Sequence, residues 1–173
     1  MNGFSESGIT LEFAGGMWFR FQQSRPYSDV SGLGFKEMDA CYVSSLNDGS
    51  KLFYAIELKD YTEMGSLSGE NVSKRVWDIA KKTVDTLQMF LSAKYQQCFG
   101  MELESAKNID LHSDISKAVF VTIVNVKPEN VMMLQTLKDK CLNKLAAYSK
   151  VWDDISITLM TKEQAQKRFD FVK

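Results

Sequence analysis

The chain has 173 residues, of which 45% are hydrophobic and 25% charged, and its formal net charge is −1. This length supports one well-developed core, so we expect a single domain spanning residues 1–173. The composition excludes an intrinsically disordered chain, and the balanced charge excludes a basic protein that coats nucleic acid through bulk attraction.

Membrane and secretory segments are not expected. No stretch approaches the ~20 consecutive apolar residues of a membrane span, and residues 1–6 lack the basic and apolar regions of a signal peptide. We therefore expect a cytoplasmic protein with no membrane association. Cys41, Cys98 and Cys141 are widely spaced, which indicates small buried residues in a reducing compartment.

The first half of the chain is predicted to be rich in β-strands. Residues 9–13 and 17–21 alternate apolar and polar side chains around Gly15-Gly16, which predicts two strands joined by a turn. Residues 24–34 contain Pro26 and two glycines and predict a loop. Asp48-Gly49 separates two further strands, at about 35–44 and 51–59, and predicts that they pair as an antiparallel hairpin.

The second half alternates helices with strands. Apolar residues recur every three or four positions from Val72 to Tyr95, which predicts a long amphipathic helix, followed by a polar loop. The remaining predicted elements are a strand at 118–124, a helix opened by Pro128, a strand at 155–160 and a short helix started by a Thr161/Gln164 capping box. This order predicts an α/β (α+β) fold, with a mixed central sheet that has an antiparallel first half and is flanked by helices.

Two carboxylates and a lysine are predicted to meet at the end of the central hairpin. Side chains alternate along a strand, so Glu57 and Lys59 share one face. Asp39 lies about as far from the turn as Glu57, which makes the two acids cross-strand neighbours. Adjacent carboxylates repel each other, and a divalent cation held by both removes the repulsion. This grouping indicates Mg²⁺- or Mn²⁺-dependent hydrolysis of phosphodiesters.

Asp39, the hairpin, Glu57-Leu58-Lys59 and the long helix that follows resemble the core of the PD-(D/E)xK nuclease superfamily. The resemblance implies a restriction-endonuclease-like core at about 35–160. It also implies metal binding by Asp39, Glu57 and the Leu58 carbonyl, with Lys59 as the catalytic lysine. Met38 departs from the proline that is usual there. The family often begins with a helix that carries another acid, whereas the upstream segment here predicts a strand hairpin; either Glu12 or Glu37 substitutes for that acid.

Other residues give weaker indications. The basic residues Lys74, Arg75, Lys81 and Lys82 on the long helix predict contacts to nucleic-acid phosphates, with a solvated helix face as the alternative. Trp18, Phe19 and Phe21 are expected in the core rather than stacked on bases. His112 is expected to be a solvated loop residue.

The predicted function is a metal-dependent endonuclease acting on DNA or RNA. The alternative is a catalytically inactive nuclease-like fold that acts as a binding or assembly subunit, in a homodimer or a larger complex. The nine methionines and the slight negative charge motivate this alternative.

Overall fold

The computed structural model describes residues 3–14, 16–63, 67, 69–112 and 115–173. Short 3-10 turns at Phe21–Gln23 and Pro128–Asn130 precede two of the helices. In chain order the elements are β1 (Gly3–Glu6), β2 (Ile9–Glu12), β3 (Gly16–Phe19), α1 (Arg25–Ser31), β4 (Ala40–Ser45), β5 (Lys51–Asp60), α2 (Glu70–Lys94), α3 (Cys98–Lys107), β6 (Ile115–Asn125), α4 (Val131–Val151), β7 (Ile155–Thr161) and α5 (Lys162–Arg168).

Five strands form one mixed sheet in the order β3-β4-β5-β6-β7. The pairs β3/β4 and β4/β5 are antiparallel, whereas β5/β6 and β6/β7 are parallel. Since α2 connects β5 to β6 and α4 connects β6 to β7, both helices run opposite to these strands and parallel to each other. The predicted mixed sheet with an antiparallel first half and flanking helices is confirmed.

The hairpin between β4 and β5 has the predicted register. Asp48 accepts hydrogen bonds from the backbone N–H of Ser50 at 3.0 Å and from its hydroxyl at 2.7 Å, and Gly49 has a positive φ of 86°. The ladder pairs Ala40 with Ile56 at its open end. One residue further along, the same register sets Asp39 opposite Glu57.

The two faces of the sheet are covered differently. On one face Phe53 and Phe120 pack against Phe90 of α2, with 4.4 Å between the ring centroids of Phe53 and Phe90. On the other face Ile56 packs with Leu11 of β2 and residues around α5. Asp39 and Glu57 belong to the face covered by α2.

The N-terminal strands differ from the prediction. The strand at Ile9–Glu12 pairs with β1, in a separate two-stranded sheet, and not with β3, which instead borders the main sheet. Ser7 and Gly8 both have positive φ, which matches a two-residue turn of the primed type and explains the β1/β2 hairpin. Of the predicted Gly15-Gly16 turn, Gly15 lies outside the described residues.

The predicted loop at 24–34 contains helix α1, so that prediction was wrong. Ser24 caps the helix by accepting from the Tyr27 backbone N–H at 3.4 Å, and Pro26 lies in the first turn, where its missing N–H costs nothing. The capping box that starts α5 is confirmed by reciprocal hydrogen bonds between Thr161 and Gln164.

The predicted burial of cysteines and aromatics is largely confirmed. Cys41 and Cys141 are buried, and Phe19 and Phe21 lie in the core. Cys98 is exposed, contrary to prediction, because it is the first residue of α3. Among the described residues no helix is both long and apolar enough to span a membrane.

Helix α3 replaces part of the predicted polar loop and depends on a close approach to α2. A Cβ at Gly100 would lie 2.3 Å from backbone atoms of Ser92 and Ala93.

We expect Gly100→Ala to lower the free energy of unfolding by about 1–3 kcal/mol, because the helices would have to separate. Gly32→Ala is the control in denaturant unfolding, since Gly32 has helical φ and open space around it. Equal stability of the two variants would contradict this packing.

Candidate active site

The structure brings Asp39, Glu57 and Lys59 together between the sheet and α2. Glu57 and Lys59 lie on the same face near the end of β5 and form an ion pair. The side chain of Glu57 is 1% exposed, whereas that of Lys59 is 24% exposed. Lys59 and Lys82, the latter 22% exposed, therefore both lie between the buried acid and solvent.

The Asp39 side chain takes the place of a backbone acceptor for the N–H of Leu58 on β5. Strand β4 begins at Ala40, so β5 extends beyond it, and Asp39 Oδ2 accepts from the Leu58 backbone N–H at 2.7 Å. In a strand the N–H and C=O of one residue point to the same side, so the Leu58 carbonyl also faces the side of Asp39. That carbonyl has a long contact of 3.4 Å from the Ser7 hydroxyl.

Lys82 of α2 joins the two acids. Its Nζ lies 3.1 Å from Asp39 Oδ1, 2.8 Å from Glu57 Oε1 and 3.0 Å from Glu57 Oε2. Burial alone would lower the pKa of Lys82, but the Glu57 and Asp39 carboxylates outweigh it and raise the pKa. Lys82 therefore carries a full positive charge within the cluster.

The Glu57 carboxyl is electrostatically strained despite the two lysines. Burial, followed by the charge of Asp39, raises its pKa, while Lys59 and Lys82 lower it without cancelling the effect. The ionised form of a buried acid is disfavoured unless enough positive charge lies close by. A divalent cation between Asp39 and Glu57 would supply more of that charge.

Two side chains of α2 hold the segment that carries Asp39. Asp85 accepts from the Lys36 backbone N–H at 2.9 Å, and the Thr86 hydroxyl accepts from the Met38 backbone N–H at 2.9 Å. Both side chains are buried. They fix the chain just before β4, which sets the position of Asp39, and sequence reasoning missed them.

The two candidates for a further acidic ligand are not equivalent. Glu12 lies with Tyr42 and Tyr54 on the opposite face of the sheet, so it cannot join the cluster. Glu37 lies close enough for the charge of Asp39 to influence it. Its Oε2 accepts from the Gln22 backbone N–H at 2.7 Å, while its buried Oε1 has no hydrogen-bond partner among the described residues.

Glu37 should make stability depend on pH. Burial raises its pKa from 4.5 to about 7, against the opposing effects of the Gln22 N–H and Arg20. The folded state thus holds the proton more tightly than the unfolded chain, so its stabilising contribution, present at low pH, is lost as pH rises from about 4.5 to about 7. A shift of this size corresponds to about 3 kcal/mol.

Glu37→Gln keeps an acceptor for Gln22 and removes the titration. We expect the variant to gain stability relative to the wild type as pH rises through this window, by up to about 3 kcal/mol above pH 7. Urea unfolding in metal-free buffer at pH 5, 6, 7 and 8 measures the difference. Glu163→Gln, at an exposed position on α5, is the control. A constant difference between Glu37→Gln and the wild type across this range would contradict the account.

The four basic residues predicted to contact phosphates separate into different environments. Lys82 points into the acidic cluster, and Arg75 lies over the Tyr61 ring at 4.2 Å. Lys81 pairs with Asp85 at 2.8 Å, and Lys74 is exposed. Lys82 lies three residues after buried Ile79 and four before buried Thr86, so its place on the buried stripe was a sequence signal for this inward orientation.

A second group of side chains could hold a metal ion. The ligand atoms of Glu104, Asp110 and His112 lie within 4.8 Å of one another, and His112 Nδ1 is 3.1 Å from Asp110 Oδ1. Glu104 is buried and also accepts from the Leu111 backbone N–H. His112 lies beside two acids in a loop, and its side chain is 41% exposed, which agrees with the predicted solvated loop residue. This group combines α3 with the loop that follows it, a proximity that the sequence spacing did not reveal.

Comparisons with protein-family models, with curated proteins and with solved structures give no match. The function of the chain must therefore be argued from its own residues.

Proposed function

We propose that this chain is a metal-dependent endonuclease that hydrolyses phosphodiester bonds in DNA or RNA, built on a restriction-endonuclease-like core. The observation that carries the proposal is the convergence of Asp39 and Glu57 on one ammonium, that of Lys82, with Lys59 beside them. The Lys82 ammonium lies between the two acids, and the carboxylate oxygens that bind it are those that a divalent ion would use.

The donor atoms fit a hard cation. Asp39 Oδ1, the Glu57 carboxylate and the Leu58 carbonyl are all oxygen ligands, which Mg²⁺ and Mn²⁺ prefer, and sulfur and imidazole are missing from this set. The donors lie on adjoining backbone segments, so little conformational entropy is lost when they bind a metal ion. Lys82 must withdraw from Asp39 and Glu57 when such an ion binds, because both need the same oxygens.

The roles of the residues follow from charge and position. A bound divalent ion would polarise the scissile phosphate and favour ionisation of the attacking water. Lys59, which pairs with Glu57 and keeps part of its side chain exposed, would orient that water and offset charge that develops on the phosphoryl oxygens. The attacking water loses a proton to solvent as its oxygen forms a bond to phosphorus, the bond to the leaving oxygen breaks, and the leaving oxygen takes up a proton from solvent.

One observation favours the alternative of an inactive fold. Two carboxylates and two ammonium groups give the cluster no net formal charge, so Lys59 and Lys82 can act as a closed structural network. Exposed Met132 and Met133, at the start of α4, then offer an adaptable contact surface for another subunit.

A cleavage assay tests the proposal. Purified protein is incubated with single-stranded DNA, duplex DNA and structured RNA in about 5 mM Mn²⁺ or Mg²⁺, or in EDTA. This metal concentration is above the dissociation constants of weak protein metal sites, which reach about 1 mM. We expect internal cleavage of at least one substrate with either metal and none in EDTA. Intact substrates under all conditions, with a folded protein, would favour the inactive alternative.

A further inference from the structure

An open groove of about 370 Å³ lies between the parallel helices α2 and α4. Trp77, Lys81, Lys144 and Tyr148 contribute to its lining, and Leu145 lies at its base. The volume falls within the range of small-ligand sites and is far too small to enclose a nucleic-acid duplex.

Trp77 is the most unusual side chain in this groove. It is 63% exposed, although an indole buries 150–250 Å² when it enters a core. The Lys144 Nζ lies over one face of the indole, 3.2 Å from the ring centre, so a base would stack on the opposite face. An indole with a cation next to it is suited to hold a stacked base and the neighbouring phosphate.

The charges around the groove favour an anionic chain. Lys140 lies one turn before Lys144, and Lys74 lies three residues before Trp77, so each faces the same side of its helix as that neighbour; both lysines are exposed. The acids of α2 are compensated nearby, because Asp85 pairs with Lys81 and Asp78 pairs with Lys36.

We propose that this groove binds a single-stranded segment of nucleic acid, with one base stacked on Trp77 and phosphates contacted by Lys144 and the exposed Lys74 and Lys140. The inference rests on the proposed nuclease function and names its substrate class. A single strand fits because its bases are free to present a face to an indole, whereas duplex bases are stacked on one another.

The groove and the acidic cluster are lined by different faces of α2. Lys81 lines the groove, and the next residue, Lys82, binds Asp39 and Glu57. Successive side chains of a helix point about 100° apart, so the groove is a binding site separate from the cluster at which cleavage is proposed.

Fluorescence anisotropy in EDTA tests the inference without cleavage. The probes are end-labelled dT₁₂, U₁₂ and a duplex of the same length. Their length of about 12 nucleotides lies within the range that single-strand binding folds cover. We expect the wild type to bind at least one of the single strands tighter than the duplex, and comparison of dT₁₂ with U₁₂ distinguishes DNA from RNA. Trp77→Ala should weaken binding about tenfold through the lost stacking. Lys144→Ala should reduce the slope of log affinity against log salt by about 0.7.

Val151→Ala is the control, since Val151 is 72% exposed on α4 and outside the groove. Equal binding of wild type and Trp77→Ala, or duplex binding as tight as that of either single strand, overturns the inference. If the wild type cleaves single strands and Trp77→Ala does so with unchanged KM, the inference fails while the nuclease function survives. If single strands bind through Trp77 and no metal supports cleavage, the nuclease function fails while the groove assignment survives.

Discussion

Replacing Lys59 by alanine should lower metal-dependent cleavage by about 10²- to 10³-fold while the protein stays folded, the loss expected when one group that stabilises transition-state charge is removed. Lys59 contacts Glu57, and its side chain is 24% exposed. Its loss removes a cation beside the reacting phosphate and leaves the oxygens of Asp39 and Glu57 in place. Single-turnover cleavage with saturating Mn²⁺ is the measurement.

The matched control for this variant is Lys51→Ala. Lys51 lies at the opposite end of β5 and pairs with Asp110 at 3.6 Å, so the change removes a strand lysine and an ion pair far from the cluster. We expect near wild-type cleavage from it. Full activity of Lys59→Ala would contradict the role assigned to the lysine.

The same cleavage assay distinguishes Asp39 from an acid outside the cluster. Asp39→Asn should abolish cleavage by removing a charged metal ligand, since hard cations depend on carboxylate oxygen. Asp154→Asn is its control, because Asp154 also pairs with a lysine of α2, Lys94, at the other end of the helix. Wild-type cleavage by Asp39→Asn would exclude the cluster as the reaction centre.

Lys82→Met should give the second large effect, because it should lower the stability of the metal-free protein and raise its affinity for Mn²⁺. Without metal, loss of the ammonium leaves two buried carboxylates with Lys59 as the remaining cation that contacts them, which costs about 3 kcal/mol of unfolding free energy. The Mn²⁺ affinity should rise at least about tenfold, because the ion no longer displaces a cation from Asp39 and Glu57. Mn²⁺ should also restore the melting temperature more than in the wild type.

Titration calorimetry with Mn²⁺ and thermal unfolding with and without the metal measure these effects. Lys94→Met is the control, since Lys94 lies on the same helix and pairs with Asp154. It should lose some stability and keep the wild-type metal affinity. Unchanged or weaker Mn²⁺ binding by Lys82→Met would show that Lys82 and the metal do not share a site.

The central part of the fold followed from local sequence signals. Asp48-Gly49 predicted the β4/β5 hairpin, and the equal distances of Asp39 and Glu57 from this turn predicted their proximity. The spacing of apolar residues predicted α2, because a helix of 25 residues buries a long continuous stripe.

Other features depended on contacts that local patterns do not contain. The pairing of β2 with β1 has a local signal in the Ser7-Gly8 turn, but the packing of β2 on the face of the sheet opposite α2 has none. Helix α3 depends on Gly100 meeting the backbone of α2. Asp85 and Thr86 hold the segment before β4 across a separation of more than 45 residues, which no local pattern could reveal.

The most direct test of the account is to locate the metal itself. In crystals soaked with Mn²⁺, anomalous scattering should give a peak about 2.2 Å from carboxylate oxygens of Asp39 and Glu57, with Lys82 Nζ displaced from both. A peak confined to Glu104, Asp110 and His112, with Lys82 still bridging the two acids, would contradict a divalent metal centre at the end of the β4/β5 hairpin.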